Sequence, residues 1–118
     1  MQIRRYETNS RMSQAVVYGG FAFLAGQVAV DAPNASIAEQ TRNVLERIDG
    51  LLTKVGTTRS RILSATIWLT DISTFDEINA VWDAWVPAAS APARATVEAR
   101  LAAPKYGVEI GIIAAVGD

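Results

Sequence analysis

The sequence predicts an α+β fold in which two amphipathic helices cover one face of one β-sheet. Near both ends of the chain, apolar residues recur at every second position, a period typical of β-strands. Between these regions, two segments repeat apolar residues every three or four positions, as a helix with one buried face does. Because 118 residues are enough for one hydrophobic core, we assign residues 1–118 to a single domain.

Three strands are expected before the first helix. Gln2–Tyr6 is predicted to form an edge strand, and Ala15–Tyr18 and Phe21–Ala25 flank a pair of glycines, Gly19 and Gly20. Two glycines tolerate the positive φ of a tight hairpin turn, so the two flanking strands are expected to pair with each other.

The first helix is predicted to run from Ser36 to Gly56. Ser36 and Glu39 have the spacing of a capping box, and Gly56 supplies the stop. The expected buried face consists of Ile37, Thr41, Val44, Leu45, Ile48, Leu51, Leu52 and Val55.

A strand over Ile62–Leu69 and a second helix follow. The strand places Leu63, Ala65, Ile67 and Leu69 on one face and Ile62, Ser64, Thr66 and Trp68 on the other. The helix is expected to be capped by Ser73 or Thr74 and to end before Pro87. Its apolar stripe consists of Phe75, Ile78, Val81, Trp82 and Trp85, so the last two tryptophans are expected in the core.

Two more strands complete the predicted sheet. In the first, Ala95, Val97, Ala99 and Leu101 alternate with Arg94, Thr96, Glu98 and Arg100. A turn around Pro104–Gly107 leads to the second, in which Val108, Ile110, Ile112, Ala114 and Val116 alternate with Glu109, Gly111, Ile113 and Ala115.

One face of this sheet is left without helices. We expect it to carry Ile62, Trp68 and Ile113 beside Arg94, Thr96, Glu98 and Glu109. This mixture is too apolar for an ordinary solvated face and too polar for a monomer core, so it favours a subunit interface with a site in it. The alternative is a solvated antiparallel face with a few scattered apolar residues.

The composition excludes several classes of function. With 11 basic and 12 acidic side chains, the chain lacks the basic surface that binding to nucleic acid needs. It contains no cysteine and no histidine, which removes thiolate nucleophiles, imidazole bases and the commonest metal ligands. Any chemistry therefore depends on carboxylates, Arg, Lys, hydroxyl groups, backbone groups and water.

The uncharged stretch Met12–Val30 is interrupted by glycines and glutamines, so it predicts two strands and a turn rather than a membrane span. The polar residues Tyr6–Arg11 do not suit a signal peptide. We therefore expect a cytoplasmic protein without a membrane partner.

The C-terminal third carries the residues of a known family. The run 92–98, with the sequence Pro-Ala-Arg-Ala-Thr-Val-Glu, is followed by Pro104-Lys105 and by Val108-Glu109-Ile110. Together with Ser13-Gln14-Ala15, the run 24–28 and the run 75–79, this pattern resembles the reactive intermediate deaminase family, known as Rid or YjgF. The resemblance covers nearly the whole chain.

The resemblance implies a chorismate-mutase-like α+β subunit with a mixed sheet, assembled as a homotrimer with ligand clefts between neighbouring subunits. It also implies hydrolysis of enamines and imines, including 2-imino acids, to 2-oxo acids and ammonia, without a cofactor or metal. The expected partner is a small imine, enamine or 2-oxo acid.

By resemblance, Arg94 is the substrate-anchoring arginine, because a guanidinium matches a carboxylate with two parallel donors. Its ordinary alternative is an ion pair with Glu98 or a neighbouring chain. Glu109 matches the glutamate that positions or deprotonates the attacking water. Its alternative is a strand glutamate paired with Arg100 or Lys105.

Three further positions belong to the implied substrate site. Gly26 matches a glycine whose backbone approaches the substrate, with a packing or bulge glycine as the alternative. Thr96 occupies a position where many members have cysteine, and either assists proton transfer or fills space. Met12 occupies the position of an aromatic residue that lines the cleft. Asn79 also recurs in the family, but its expected role is structural.

The sequence departs from the family pattern at Met12, Ala25, Thr96 and Trp82, which concern the side-chain pocket. A non-catalytic trimer that binds small carboxylates such as 2-oxo acids is therefore the main alternative to a deaminase. A ribonuclease or translation inhibitor is the third class, and the balanced charge argues against it.

Overall fold

A computed structural model describes residues 1–117 of the chain. It contains six strands and two α-helices, which confirms the α+β class. In chain order they are β1 (Arg4–Thr8), β2 (Ser13–Tyr18), β3 (Phe21–Gln27), α1 (Ile37–Val55), β4 (Ile62–Leu69), α2 (Phe75–Trp85), β5 (Ala93–Glu98) and β6 (Val108–Ala115).

The strands form one mixed sheet in the order β1-β2-β3-β6-β4-β5. Only the β4–β5 pair within residues 1–117 is parallel, because α2 carries the chain back between these two strands. The strands β1 and β5 form the edges of the sheet, and β6 lies between β3 and β4.

Both helices pack on the same face of the sheet, as the sequence predicts. The Ser36 hydroxyl accepts a hydrogen bond from the Glu39 N–H (3.2 Å), and Gly56 ends α1 at a φ of +86°. The expected face of α1 lies in the core, with Ile37 packed against it. In α2, Ile78 and Trp82 are buried.

The cap of α2 differs from the prediction. Neither Ser73 nor Thr74 accepts a hydrogen bond at the start of this helix; instead, the Asp71 carboxylate accepts one from the Ser73 N–H (2.9 Å) in the preceding turn.

The bounds of two strands also differ from the prediction, since β1 begins at Arg4 and β5 ends at Glu98. Because β4 is the neighbour of β5 and ends at Leu69, opposite Glu98, the pairing stops there with a last hydrogen bond from the Ala99 N–H to the carbonyl oxygen of Leu69 (2.9 Å).

The face prediction for Ile62 was wrong. Ile62 is 4% exposed, whereas Leu63 is 44% exposed. The pairing of β4 with β6 shifts register between Ile62 and Ser64, so one additional residue breaks the alternation there.

The face prediction for the polar residues of β5 was also wrong. Arg94, Thr96 and Glu98 pair with Ala65, Ile67 and Leu69 of β4, and paired residues share a face. Since these β4 residues are buried under the helices, the polar residues of β5 lie on the helix side. The period of a strand separates two sets of side chains without deciding which set faces the helices.

The other face of the sheet, which we call the open face, lies opposite the helices. Trp68, Glu109 and Ile113 are on it, as expected. The pairing adds four large side chains that are 45–49% exposed: Tyr18, Phe21, Phe23 and Val97. An aromatic surface of this kind is typical of a contact with another protein chain. In the residues that the structure describes, neither helix is long and apolar enough to span a membrane.

Candidate functional site

Glu109 and Gly26 meet at one end of the open face. Glu109 lies on β6 opposite Trp68, and its carboxylate covers the Cα of Gly26 on β3. A Cβ placed on Gly26 would overlap Oε2 of Glu109 and would lie 2.8 Å from its Cδ. Any side chain at position 26 must therefore displace the carboxylate, which explains the glycine.

The pKa of Glu109 is perturbed by burial. The carboxyl group is partly buried, and this desolvation raises the pKa of Glu109 above the ordinary value of a glutamate. Ion pairs within residues 1–117 involve Lys54 with Glu7 and Arg59 with Asp49, and none involves Glu109. The alternative of a strand glutamate paired with Arg100 or Lys105 is therefore not observed.

Trp68 is the neighbour of Glu109 on the open face. Its ring lies over Gly111, where a Cβ would be 3.3 Å from two ring carbons. Trp68 and Glu109 are paired residues of neighbouring strands, so their side chains are adjacent on the open face.

Arg94 lies on the other side of the sheet, against α2. Its Nη1 donates a hydrogen bond to Oδ1 of Asn79 (2.8 Å). The guanidinium carbon is 5.7 Å from the ring centroid of Phe75 and 5.5 Å from that of Trp82, within the range of cation–π contacts. The Glu98 carboxylate accepts a hydrogen bond from the Ile72 N–H instead, so the ion pair with Arg94 is not observed within the chain.

The contacts of Arg94 include residues that the sequence did not assign to the site. Phe75, Asn79 and Trp82 follow one another at steps of four and three residues on α2, which places them on one face of the helix. This spacing was the available signal, but it was interpreted as core packing. Thr96 lies on the same face of β5 as Arg94, and its Oγ1 is buried with no hydrogen-bond partner in residues 1–117.

Met12 lies in the turn between β1 and β2 and is 40% exposed. Its N–H donates to Oδ1 of Asn9 (3.0 Å), which fixes the turn. Since Ala15 pairs with Leu24, this turn is at the same end of the sheet as Gly26. The predicted site residue is therefore near the Gly26 end.

The structure thus brings Gly26 together with Glu109, and Arg94 together with Thr96, but it separates the two pairs. Arg94 precedes Val97 by three residues, and Val97 is two strands away from Glu109 through Trp68. At about 3.3 Å per residue and about 4.8 Å per strand, the backbones of Arg94 and Glu109 are roughly 14 Å apart. Their side chains also leave the sheet on opposite faces.

The chain is similar to known proteins along nearly its whole length. The model of the family described as Endoribonuclease L-PSP matches residues 2–116. The RutC family protein YoaB of Escherichia coli is 44% identical over 116 residues, which covers 98% of this chain and 100% of that protein.

No metal site is formed by the acidic side chains of residues 1–117, since no three or more of them are placed together to hold a metal ion.

Solved structures agree with this family. The crystal structure of a YjgF family member from Neisseria meningitidis superimposes with a TM-score of 0.94 at 45% identity, covering 100% of this chain and 98% of that one. YyfA of Yersinia pestis, described as a member of the conserved Rid protein family, has a TM-score of 0.84 at 32% identity, covering 92% of this chain and 90% of that one. The match of the family model to residues 2–116, together with relatives of 44% and 45% identity along nearly the whole chain, shows that the chain belongs to the YjgF/RutC/Rid family.

Proposed function

We propose that this protein hydrolyses reactive enamines and imines, such as 2-imino acids, to 2-oxo acids and ammonia in the cytoplasm. The observation that carries the proposal is the partly buried Glu109 carboxylate over Gly26. A carboxylate without an ion-pair partner and with a raised pKa is suited to accept a proton from water. The reaction in this proposal needs no cofactor, because water is the nucleophile.

We further propose that each site is formed by two copies of the chain in a homotrimer. Arg94 and Glu109 leave opposite faces of the sheet, so a cleft containing both must take one from each of two subunits. Two features support such an assembly: the aromatic open face, and the free edge of β5 beside Arg94.

In this cleft Arg94 would hold the substrate carboxylate. Contacts with Phe75 and Trp82 and the hydrogen bond to Asn79 restrict the guanidinium to one orientation. The remaining N–H groups of Arg94 have no partner among the described residues, so they are available to a ligand. Thr96 Oγ1 also has no hydrogen-bond partner there, but it is buried within the single chain. Met12 would line the part of the cleft that receives the side chain of the substrate.

The chemistry follows from these positions. Glu109 takes a proton from water as the water oxygen bonds to the imine carbon, and the C=N electron pair moves to nitrogen. Glu109 passes this proton to the nitrogen, which gives a neutral carbinolamine and restores the carboxylate. Glu109 then takes the hydroxyl proton of the carbinolamine and transfers it to the amino nitrogen, so that the C=O bond forms as the C–N bond breaks, ammonia leaves and the 2-oxo acid remains. An enamine first takes a proton on carbon to become the imine.

A non-catalytic trimer that binds small carboxylates is the second candidate. Arg94 has N–H donors left to offer a carboxylate, and such binding does not require Glu109. A ribonuclease, the activity in the name of the family model, is less well supported, because a net charge of −1 gives the chain no overall positive charge to attract RNA.

The first experiment measures 2-oxo acid formation while an amino-acid oxidase generates imines and semicarbazide traps the free imine. We expect the wild type to compete with the trap and Arg94→Ala to fail. Arg42→Ala, which removes an exposed arginine of α1, serves as the matched control and should retain activity. Binding of 2-oxo acids without turnover would support the second candidate instead.

Mixed oligomers test whether two chains share a site. Arg94→Ala and Glu109→Gln are each expected to be inactive, but co-assembly restores clefts in which both residues are intact. Random assembly predicts about one quarter of the wild-type activity in an equal mixture. A mixture as inactive as its components, with exchange of subunits shown by mass spectrometry, would contradict the shared site.

A further inference from the structure

The backbone at Gly26 departs from regular strand geometry. In the pairing of β3 with β6, Leu24 is opposite Ile112 and Gln27 is opposite Ile110. Three steps along β3 therefore match two steps along β6, so β3 contains one additional residue, a β-bulge at Ala25 and Gly26.

The bulge changes which side chains face the core. Leu24 and Gln27 are both buried on the helix side, at 7% and 2% exposure, although they are an odd number of residues apart. Gly26 is brought against the Glu109 carboxylate on the open face. The bulge is thus the feature that places backbone atoms beside the proposed base.

Gln27 holds this bulge from the inside. Its Nε2 donates to the carbonyl oxygen of Ala25 (2.9 Å) and to Oε1 of Gln14 on β2 (2.9 Å). Its Oε1 accepts a hydrogen bond from Nε of Arg47 on α1 (3.3 Å). All the hydrogen-bonding groups of this buried amide are used, and they tie the bulge to a second strand and to a helix.

The bond to Ala25 determines the direction of the next N–H. In a trans peptide unit the C=O and N–H groups point in opposite directions, and the described chain contains no cis peptide bond. Because the Ala25 carbonyl is directed at the Gln27 amide, the Gly26 N–H of the same peptide unit points away from Gln27, out of the helix layer.

We infer that Gln27 is a positioning residue that sets the Ala25–Gly26 peptide, so that the Gly26 N–H and the Glu109 carboxylate face the same reacting group. The inference rests on the proposed function for its catalytic consequence. An N–H directed at the reacting group stabilises the negative charge that develops on the carbinolamine oxygen, beside the base that activates water. Arg47 of α1 helps to hold the Gln27 side chain in place through its hydrogen bond to Oε1 of Gln27.

Two variants test this role. Gln27→Met keeps an unbranched side chain but removes every hydrogen bond. Gln27→Glu keeps the size and the acceptor for Arg47, but its carboxylate cannot donate to Ala25. In both, we expect kcat to fall by about 100-fold while KM changes little, because the Arg94 anchor is untouched and a misplacement of about 1 Å has this cost.

Thr57→Val is the matched control. The Thr57 hydroxyl is buried and donates to the carbonyl oxygen of Ala115 (2.7 Å), at the end of β6 remote from Glu109. This variant also removes a buried hydrogen bond to a strand carbonyl, but it should keep the wild-type kcat. A general loss of rigidity would lower kcat in all three variants and would overturn a specific role for Gln27.

A second readout does not depend on enzymatic activity. In crystal structures, the Ala25–Gly26 peptide should be rotated in both Gln27 variants and unchanged in Thr57→Val. Wild-type kcat and an unrotated Ala25–Gly26 peptide in folded Gln27→Glu would refute the inference. If the wild type itself hydrolyses no imine, the proposed function fails, and the orientation of this peptide still decides whether Gln27 sets it.

Discussion

Gly26→Ala separates the catalytic role of the Glu109 carboxylate from its effect on folding. The new Cβ would overlap Oε2 and lie 2.8 Å from Cδ of Glu109. Carbon atoms in contact are about 3.5 to 4.0 Å apart, so the carboxyl carbon must move by roughly 1 Å. The movement requires only rotation of a partly buried side chain at the surface of the sheet.

The two consequences differ in size. A displacement of about 1 Å in a catalytic group costs up to about 100-fold in rate, and we expect kcat/KM to fall by that factor. The free energy of unfolding should change by less than about 1 kcal/mol, because Gly26 does not have a positive φ that a side chain would strain. The rate is measured by the oxidase-coupled assay, and stability by urea unfolding.

Gly50→Ala is the matched control for this substitution. Gly50 lies inside α1, and a Cβ there would meet nothing within 4 Å. Wild-type activity and a gain of about 1 kcal/mol in stability are expected, since alanine has the higher helix propensity. A Gly26→Ala protein with wild-type kcat/KM would refute the assignment of Glu109 as the base.

Substitutions of Glu109, Asn79 and Ser36 test the proposed base, the support of Arg94 and the cap of α1. Glu109→Gln should lower kcat by about 100-fold or more. Burial raises the pKa of Glu109 above the ordinary value of a glutamate, and the base acts when it is deprotonated. Wild-type activity should therefore rise with pH through that pKa. Glu109→Gln should show no such rise in its pH profile. Asn79→Ala removes one hydrogen bond from Arg94, so KM should rise roughly 10-fold with little change in kcat; a fall in kcat alone would argue against an anchoring role. Ser36→Ala removes the cap of α1 and should cost about 1 kcal/mol in urea unfolding, whereas an unchanged midpoint would show that the cap contributes nothing.

The candidate site could be predicted from the sequence only as a set of residue types. The run 92–98 and the residues around Glu109 identify the family. The sequence also predicts that something approaches the backbone at Gly26, and in the structure this is the Glu109 side chain. The contact of Arg94 with Asn79 was missed, because both belong to separate elements whose packing no local pattern describes. Gln27 was missed because its role depends on a bulge, which changes the count of residues without changing their hydrophobic pattern.

Local sequence determined the elements of this protein, because caps, glycine stops and hydrophobic periods act over a few residues. The capped helix α1, the strand Ile62–Leu69 and the alternation of β6 were all predicted in this way. Tertiary structure alone decided that Arg94 faces α2 and that Glu109 faces the open side. The pairing partner of each strand and the position of each bulge set these directions, and both arise from contacts between residues far apart in the chain.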